Sequence, residues 1–279
     1  MAGRIPIGVC IGTIRAVPAW WLSSAERLAA AGYEGIWAWD HFMGRGDPSV
    51  PVVEGWTALS AAAAVTGEAT LGTYVVNVMN RHPAVLARMA STLQALSGGR
   101  VVIGIGIGGH PREHTALGIP FPDATERVAR LEEAVAVLRA LWTGGPVTLD
   151  GAFYPLREAY GVPAAAPPPP IIIGGGSPGA ARLAARLGDG WTIFSDRFEE
   201  RLPVYLEALE AAGRRREDQL VLVGVEGETV AATSESLRPW IADLHVPYER
   251  LREQGADAVV LTARSEPDIV GLLEAAARW

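Results

Sequence analysis

Short apolar runs alternate with longer amphipathic segments along the chain. The apolar runs near 4–10, 34–40, 70–77, 100–107, 170–174, 189–194, 219–226 and 257–262 read as eight strands. Val101-Val102-Ile103, Ile171-Ile172-Ile173 and Ala258-Val259-Val260-Leu261 are continuously apolar. That pattern suits parallel strands covered on both faces. Helical segments fall between them, at 23–32, 54–66, 83–97, 123–142, 178–187, 197–213, 235–254 and 266–278. Eight strands alternating with eight helices predict an α/β fold, a (β/α)8 TIM barrel forming one domain over 1–279. An open doubly wound sheet is the alternative built from the same units.

One β-α-β unit is especially legible. The strand 70–77 ends at Asn77, and Pro83 suits the first turn of the next helix, where a missing N–H costs nothing. That helix stops at Ser97-Gly98-Gly99, a glycine stop signal. The next strand runs into Gly108-Gly109, where a ligand can approach the backbone. One segment breaks the alternation. Between the fourth helix and fifth strand, an insertion at about 144–170 carries Val147 to Tyr154, a strand–Asp-Gly–strand hairpin signal. Its prolines at 167–170 stiffen the return to the fifth strand. An insertion of this length is expected to cover or flank the site.

Composition narrows the class. The chain has 279 residues, 49% of them hydrophobic, enough for one sizeable core. No apolar run reaches the roughly 18 residues of a membrane span. The first residues resemble a strand rather than a secretion signal, so a cytoplasmic protein is expected. A formal net charge of −7 argues against a nucleic-acid partner. The single cysteine, Cys10, excludes an internal disulfide. All 24 basic residues are arginine, which excludes lysine nucleophiles and Schiff bases. No HxH spacing occurs, and the single HxxxH pair, His110 and His114, lies in a segment read as loop, so no catalytic metal is expected.

In a barrel, function sits on the loops after the strand C-termini. Those positions hold Thr13, Trp37, Trp39, Asp40, His41, Phe42, Tyr74, Val75, Asn77, Ile107, Gly108, Gly109, His110, Arg112, Glu113, Gly174, Gly175, Gly176, Ser177, Trp191 and Phe194. Aromatic walls, glycines and an arginine suit a large flat ligand with an anionic tail. Gly174 to Ser177 opens a helix, where backbone N–H groups and the helix dipole favour a phosphate. Asp40-His41 is the sharpest ionisable pair. A histidine exchanges protons near neutral pH, and a carboxylate can tune or orient it. Adjacent strand residues point apart, so the two need not bond each other. His82 reads as a turn residue, His245 as structural, and His110 and His114 as loop residues, with His110 able to face the mouth.

Several segments together carry a family resemblance. They are GYEGIWAWDHF (32–42), NRHPAVLARMASTLQALSGGRVVIGIGIGG (80–109), Glu113 followed by Leu117-Gly118, ERVARLEEAVAVLRALWTGGPVTLDGAFY (126–154) and PIIIGGGSPGAARLAARLGDGW (170–191). The chain resembles the luciferase-like monooxygenase superfamily, particularly the branch using the deazaflavin coenzyme F420. The resemblance implies an oxidoreductase that moves a hydride between deazaflavin C5 and a small organic substrate. It implies that Asp40 touches the cofactor head, that His41 faces the reacting centre, and that the Tyr74–Val75 peptide is cis behind the ring. Asn77, Ile107, Gly108, Arg112 and Gly174 to Ser177 would line the cofactor and its tail. Thr13, Trp39, His110 and Trp191 would face the substrate, and Trp37, Trp39 and the insertion would exclude water. An FMN-dependent monooxygenase and a non-enzymatic flavin-binding barrel are the alternatives. The glucose-6-phosphate dehydrogenase branch has an acid where this chain has Gly109, and it uses lysines, so another substrate is expected. A homodimer is also expected, with Trp56, Leu59, Leu86 and Met89 as the contact.

Overall fold

The computed structural model describes residues 4–226 and 233–279. Eight parallel strands close into a barrel in chain order: β1 (Ile5–Ile11), β2 (Tyr33–Ala38), β3 (Thr70–Asn77), β4 (Val101–Gly106), β7 (Ile171–Gly174), β8 (Gly190–Phe194), β9 (Leu220–Val225) and β10 (Ala258–Ala263). Val9 pairs with Leu261 and Ile36, closing the ring between its first and last strands. The continuous apolar runs are explained by burial on two faces. Outward residues such as Ile36, Ile103 and Ile171 pack under the helices. Inward residues Cys10, Trp37, Tyr74, Leu222 and Val260 form a second cluster inside the barrel.

Trp37 belongs to that interior cluster and does not line the mouth. Glycines around it make the room: a Cβ on Gly8 would lie 2.4 Å from Trp37 Nε1, and one on Gly72 would lie 2.0 Å from Trp37 Cε3. A tryptophan therefore fills a narrow barrel where neighbouring strands carry no side chain.

The helix layer differs from the sequence reading at its edges. α1 is Pro18–Ala30, starting well before 23. Pro18 supplies a preset first turn, and Trp21 Nε1 donates to the Ile11 carbonyl at 3.1 Å. α2 is Gly55–Ala62, shorter than 54–66, with Glu54 accepting from the Trp56 and Thr57 amides as its cap. α3 is Pro83–Leu96. The loop after β4 contains an unanticipated helix, α4 (Pro111–Leu117), followed by α5 (Ala124–Trp142). Later come α6 (Pro178–Leu187) and α7 (Ser195–Ala211). The expected helix 235–254 is broken into a tight turn (Glu235–Leu237), α8 (Arg238–Ala242) and α9 (His245–Glu253). Asp243 is extended there, and its carboxylate accepts from the His245 amide at 2.8 Å, which caps a new helix rather than continuing the old one. α10 is Glu266–Ala276.

The insertion is a hairpin, with its second strand displaced from the expected register. β5 (Pro146–Leu149) pairs antiparallel with β6 (Leu156–Tyr160). The stretch containing Phe153 and Tyr154 is loop, because both amides donate to the Glu133 carboxylate on α5 instead of a partner strand. The hairpin is held against the outer helices. Arg88 of α3 donates to the Val162 and Tyr160 carbonyls, and Gln94 donates to that of Pro167 at 2.9 Å. No residue of 144–170 lines the mouth, so the insertion does not seal it. Trp56, Leu59 and Leu86 are buried within the chain, so they are unavailable as a dimer surface.

Candidate active site

A cavity with a volume of about 380 Å³ lies at the C-terminal ends of the barrel strands. Its two sides differ. β3, β4, β7 and β8 contribute Val75, Asn77, the glycines 106, 108 and 109, the glycines 174–176, and Thr192. β9, β10, β1 and β2 with their loops contribute Glu226, Arg264, Ile14, Trp39, Asp40, His41 and Arg45.

The glycine side is built around Val75. The Tyr74–Val75 peptide is cis, and the β3–β4 register shifts between Thr73 and Val76. Tyr74 turns into the barrel and meets Thr192 Oγ1 at 3.1 Å. Val75 lies across glycines: a Cβ on Gly104, Gly106 or Gly174 would come within 3.0, 3.2 or 2.9 Å of its methyls. Gly108 has φ +76, and a Cβ there would sit 2.4 Å from Asn77 Oδ1. Only glycine adopts that backbone without strain and lets the Asn77 amide pass. Beyond a Cβ on Gly109 lies open space, and beyond one on Gly176 nothing is nearer than 3.9 Å. The carbonyls of this wall are tied back. Trp191 Nε1 donates to Gly175 O at 3.0 Å, Arg201 Nε to Gly176 O at 3.2 Å, and Arg127 Nε to Ile107 O at 3.1 Å. The Gly175 amide itself donates to Thr192 O, so an anion at this loop would rely on other donors.

Asp40 and His41 do point apart, as strand alternation requires. The Asp40 carboxylate is buried and accepts both Arg81 Nη1 and Nη2 at 2.8 Å, the Asn77 amide at 3.0 Å and Asn80 Nδ2 at 3.1 Å. Asp40 therefore fixes the end of β3 at the cavity wall. Arg81 also reaches Glu54, the cap of α2, at 3.3 Å.

His41 is oriented by Glu113, not by Asp40. His41 Nδ1 and Glu113 Oε2 are 3.1 Å apart, while Glu113 Oε1 accepts the Phe42 and Met43 amides. Burial pushes the Glu113 carboxyl up, but these donors outweigh it and hold it below its ordinary value. Arg45 Nη2 lies 3.2 Å from His41 Nε2. A guanidinium only donates, so in this contact Nε2 accepts and Nδ1 is the nitrogen that donates to Glu113. His110 meets His41 edge-on, with ring centroids 5.0 Å apart. Burial, then the Arg45 charge, then His41 push the His110 pKa down to about 4. His114, on α4 rather than a loop, is fully buried and lies 2.7 Å from Asn77 Nδ2 through its Nε2.

Four expected site residues lie off the cavity. Trp191 is fully buried and stacks on Tyr205 of α7, with centroids 4.9 Å apart. It sits on the outward parity of β8, while its neighbour Thr192 faces in. Thr13 is also fully buried, and its carbonyl accepts the Val53 amide. Ser177 caps α6 through the Ala180 amide. Arg112 is exposed on α4 and does not line the cavity. Conversely, Arg45, Arg264 and Glu226 line it without having been singled out, and Arg81 stands in the sequence reading only within the segment 80–109. Glu113 stood among the mouth residues, but nothing in the sequence tied it to His41. A charged side chain beside a strand end was the available signal.

A parallel barrel with a cleft at its strand C-termini is the (β/α)8 architecture, in which sites are built on the loops after the strands. The family model of the luciferase-like monooxygenases matches residues 13–270, and the chain belongs to that family. An F420-dependent glucose-6-phosphate dehydrogenase of Beutenbergia cavernae is 37% identical over 182 residues, covering 65% of this chain and 52% of that protein. One of Nakamurella multipartita is 33% identical over 252 residues, covering 86% and 70%. The matches span between about half and three fifths of the length of several such curated relatives. Among solved structures, an F420-dependent secondary alcohol dehydrogenase in complex with an F420-acetone adduct superimposes with a TM-score of 0.82 at 22% identity, covering 99% of this chain and 100% of that one.

Proposed function

We propose that the protein is an F420-dependent oxidoreductase that transfers a hydride between the deazaflavin C5 and a small organic substrate. One observation carries the reading: Val75 and the open glycine wall share one cavity with His41, whose Nδ1 is held by Glu113. The relatives at 33–38% identity, named as F420-dependent enzymes, support the cofactor.

The residues present fit such a group. A ring would rest on Val75, and its tail would follow Asn77, Ile107, Gly108, Gly109 and the glycines 174–176, where the backbone is open. When bound, the deazaflavin supplies a two-electron hydride carrier. The protein positions the partners and handles the proton. Glu113 holds His41 with Nε2 unprotonated, so Nε2 can accept a proton from a substrate hydroxyl. In the reverse direction a protonated His41 returns it. Asp40, through Arg81 and the Asn77 amide, positions the end of β3. Trp39 and Ile14 exclude water from the other side. Cytoplasmic location and homodimeric assembly belong to the same proposal. Among the described residues, no helix is long and apolar enough to cross a membrane.

Fluorescence titration tests the reading. F420 is expected to bind at about micromolar Kd and more tightly than FMN. Tighter FMN binding would move the protein to an FMN-dependent monooxygenase. Tight F420 binding with no turnover over a broad alcohol and carbonyl panel would favour a non-enzymatic binding barrel.

A further inference from the structure

His41 has one ring nitrogen for chemistry. Nδ1 is committed to Glu113. Nε2 is occupied in the free protein by the Arg45 guanidinium at 3.2 Å. A substrate hydroxyl that reaches Nε2 must replace that N–H. Arg45, exposed at the rim of the cavity, is then released from His41 beside the bound substrate. A substrate that carries an acceptor close to its own hydroxyl can take up the released guanidinium. A carboxylate does so best, because its two oxygens match the guanidinium fork.

The surrounding wall favours a carboxylate over a phosphate. Glu226 lines the same side as Arg45 and Arg264, and its charge bears directly on Arg45. A nearby carboxylate repels a dianion more strongly than a monoanion. The glycine loops suited to phosphate oxygens lie on the opposite side of the mouth, where the cofactor tail is placed. The Arg264 guanidinium lies 5.3 Å from the Trp39 ring centroid, which gives the pocket a flat floor beside the charges.

We propose that the substrate is a small hydroxycarboxylate, or the matching oxocarboxylate, with Arg45 taking the carboxylate and His41 Nε2 the hydroxyl. The redox meaning of this assignment rests on the function proposed above, whereas the binding claim stands alone. It separates this protein from relatives named for glucose 6-phosphate.

Calorimetric titration of the full chain tests it, with and without F420, using glycolate, lactate and mandelate as probes and lactamide and glucose 6-phosphate as controls. At least one hydroxycarboxylate is expected to bind tenfold more tightly than either control. Arg45→Gln is expected to erase that margin, about 1.4 kcal/mol. If Arg45→Gln does not fold, Arg45→Lys serves instead: it keeps the charge, loses the fork, and is expected to lose affinity several-fold. Lactamide binding as well as lactate, glucose 6-phosphate binding more tightly than every carboxylate, no carboxylate binding at all, or unchanged affinity in the folded variant each overturns the proposal. Carboxylate binding by a protein that does not take F420 overturns the proposed function and leaves this one standing. F420 binding without carboxylate selectivity does the reverse.

Discussion

The two sides of the barrel mouth recognise by different means. On the side of β3, β4, β7 and β8, glycine backbone dominates around Val75, with Asn77 and Thr192 beside it, and several of the glycines are defined by what a Cβ would strike. On the side of β9, β10, β1 and β2, the surface is side chain: an aromatic floor, two arginines, a glutamate and a histidine held by its own carboxylate. A glycine wall accepts a flat ring and an extended tail but distinguishes little about a small substrate. A charged wall distinguishes polar groups but cannot lie flush against a ring. Under the proposed function, this difference puts cofactor affinity and substrate chemistry in separable halves of one cavity. Substitutions should therefore change one and spare the other.

The sharpest separation is expected at His41. His41→Ala should lower turnover by roughly 10²–10⁴-fold, the usual range for a general acid–base group, while F420 affinity stays nearly constant. Near-normal turnover with the true substrate would reduce His41 to a packing residue and leave His110 or an ordered water as the proton donor. On the other side, Gly108→Val forces a branched residue into φ +76 against the Asn77 amide. F420 affinity should fall by tenfold or more, about 1.4 kcal/mol, in a protein that still folds. An unchanged Kd would place the tail elsewhere.

Arg81 tests the frame shared by both halves. Its side chain and that of Asp40 are only 11% and 2% exposed. Removing one partner of such a buried pair strands the other, so Arg81→Gln should cost about 3 kcal/mol of stability. Denaturant titration would read this, and a loss within error would mean that Asp40 needs no counter-charge.

The smallest effect is at His110. Its folded pKa of about 4 lies below the ordinary histidine value of about 6.5. The unfolded chain therefore binds the extra proton first as pH falls. The stability contributed by neutral His110 is complete above about pH 6.5 and is lost on descending towards pH 4. His110→Gln should flatten the pH dependence of the unfolding midpoint within that window. An identical slope in both proteins would show that His110 is not held neutral.

Sequence alone made the barrel legible because each apolar run is buried twice, once under helices and once inside the ring. It also singled out Asn77, His41 and the glycine loops at strand ends, whereas the part played by Val75 and its cis peptide was expected only from the family resemblance. The misses share a physical cause. Trp191 and Thr192 are adjacent, and a one-residue change of parity decides which faces the cavity. The pairing of His41 with Glu113, 72 positions apart, depends on how β2 and α4 converge. Arg45 and Arg264 come together only when the barrel closes. Asp243 looked like one more helical residue until its carboxylate capped α9.

The central claim is the division of the mouth, and a structure of the protein with F420 bound tests it most directly. The account predicts the deazaflavin ring against Val75, the tail along the glycines 108–109 and 174–176, and His41 Nε2 facing the exposed side of the ring across a gap bounded by Arg45. A ring stacked on Trp39, with its tail running between Arg45 and Arg264, would contradict it.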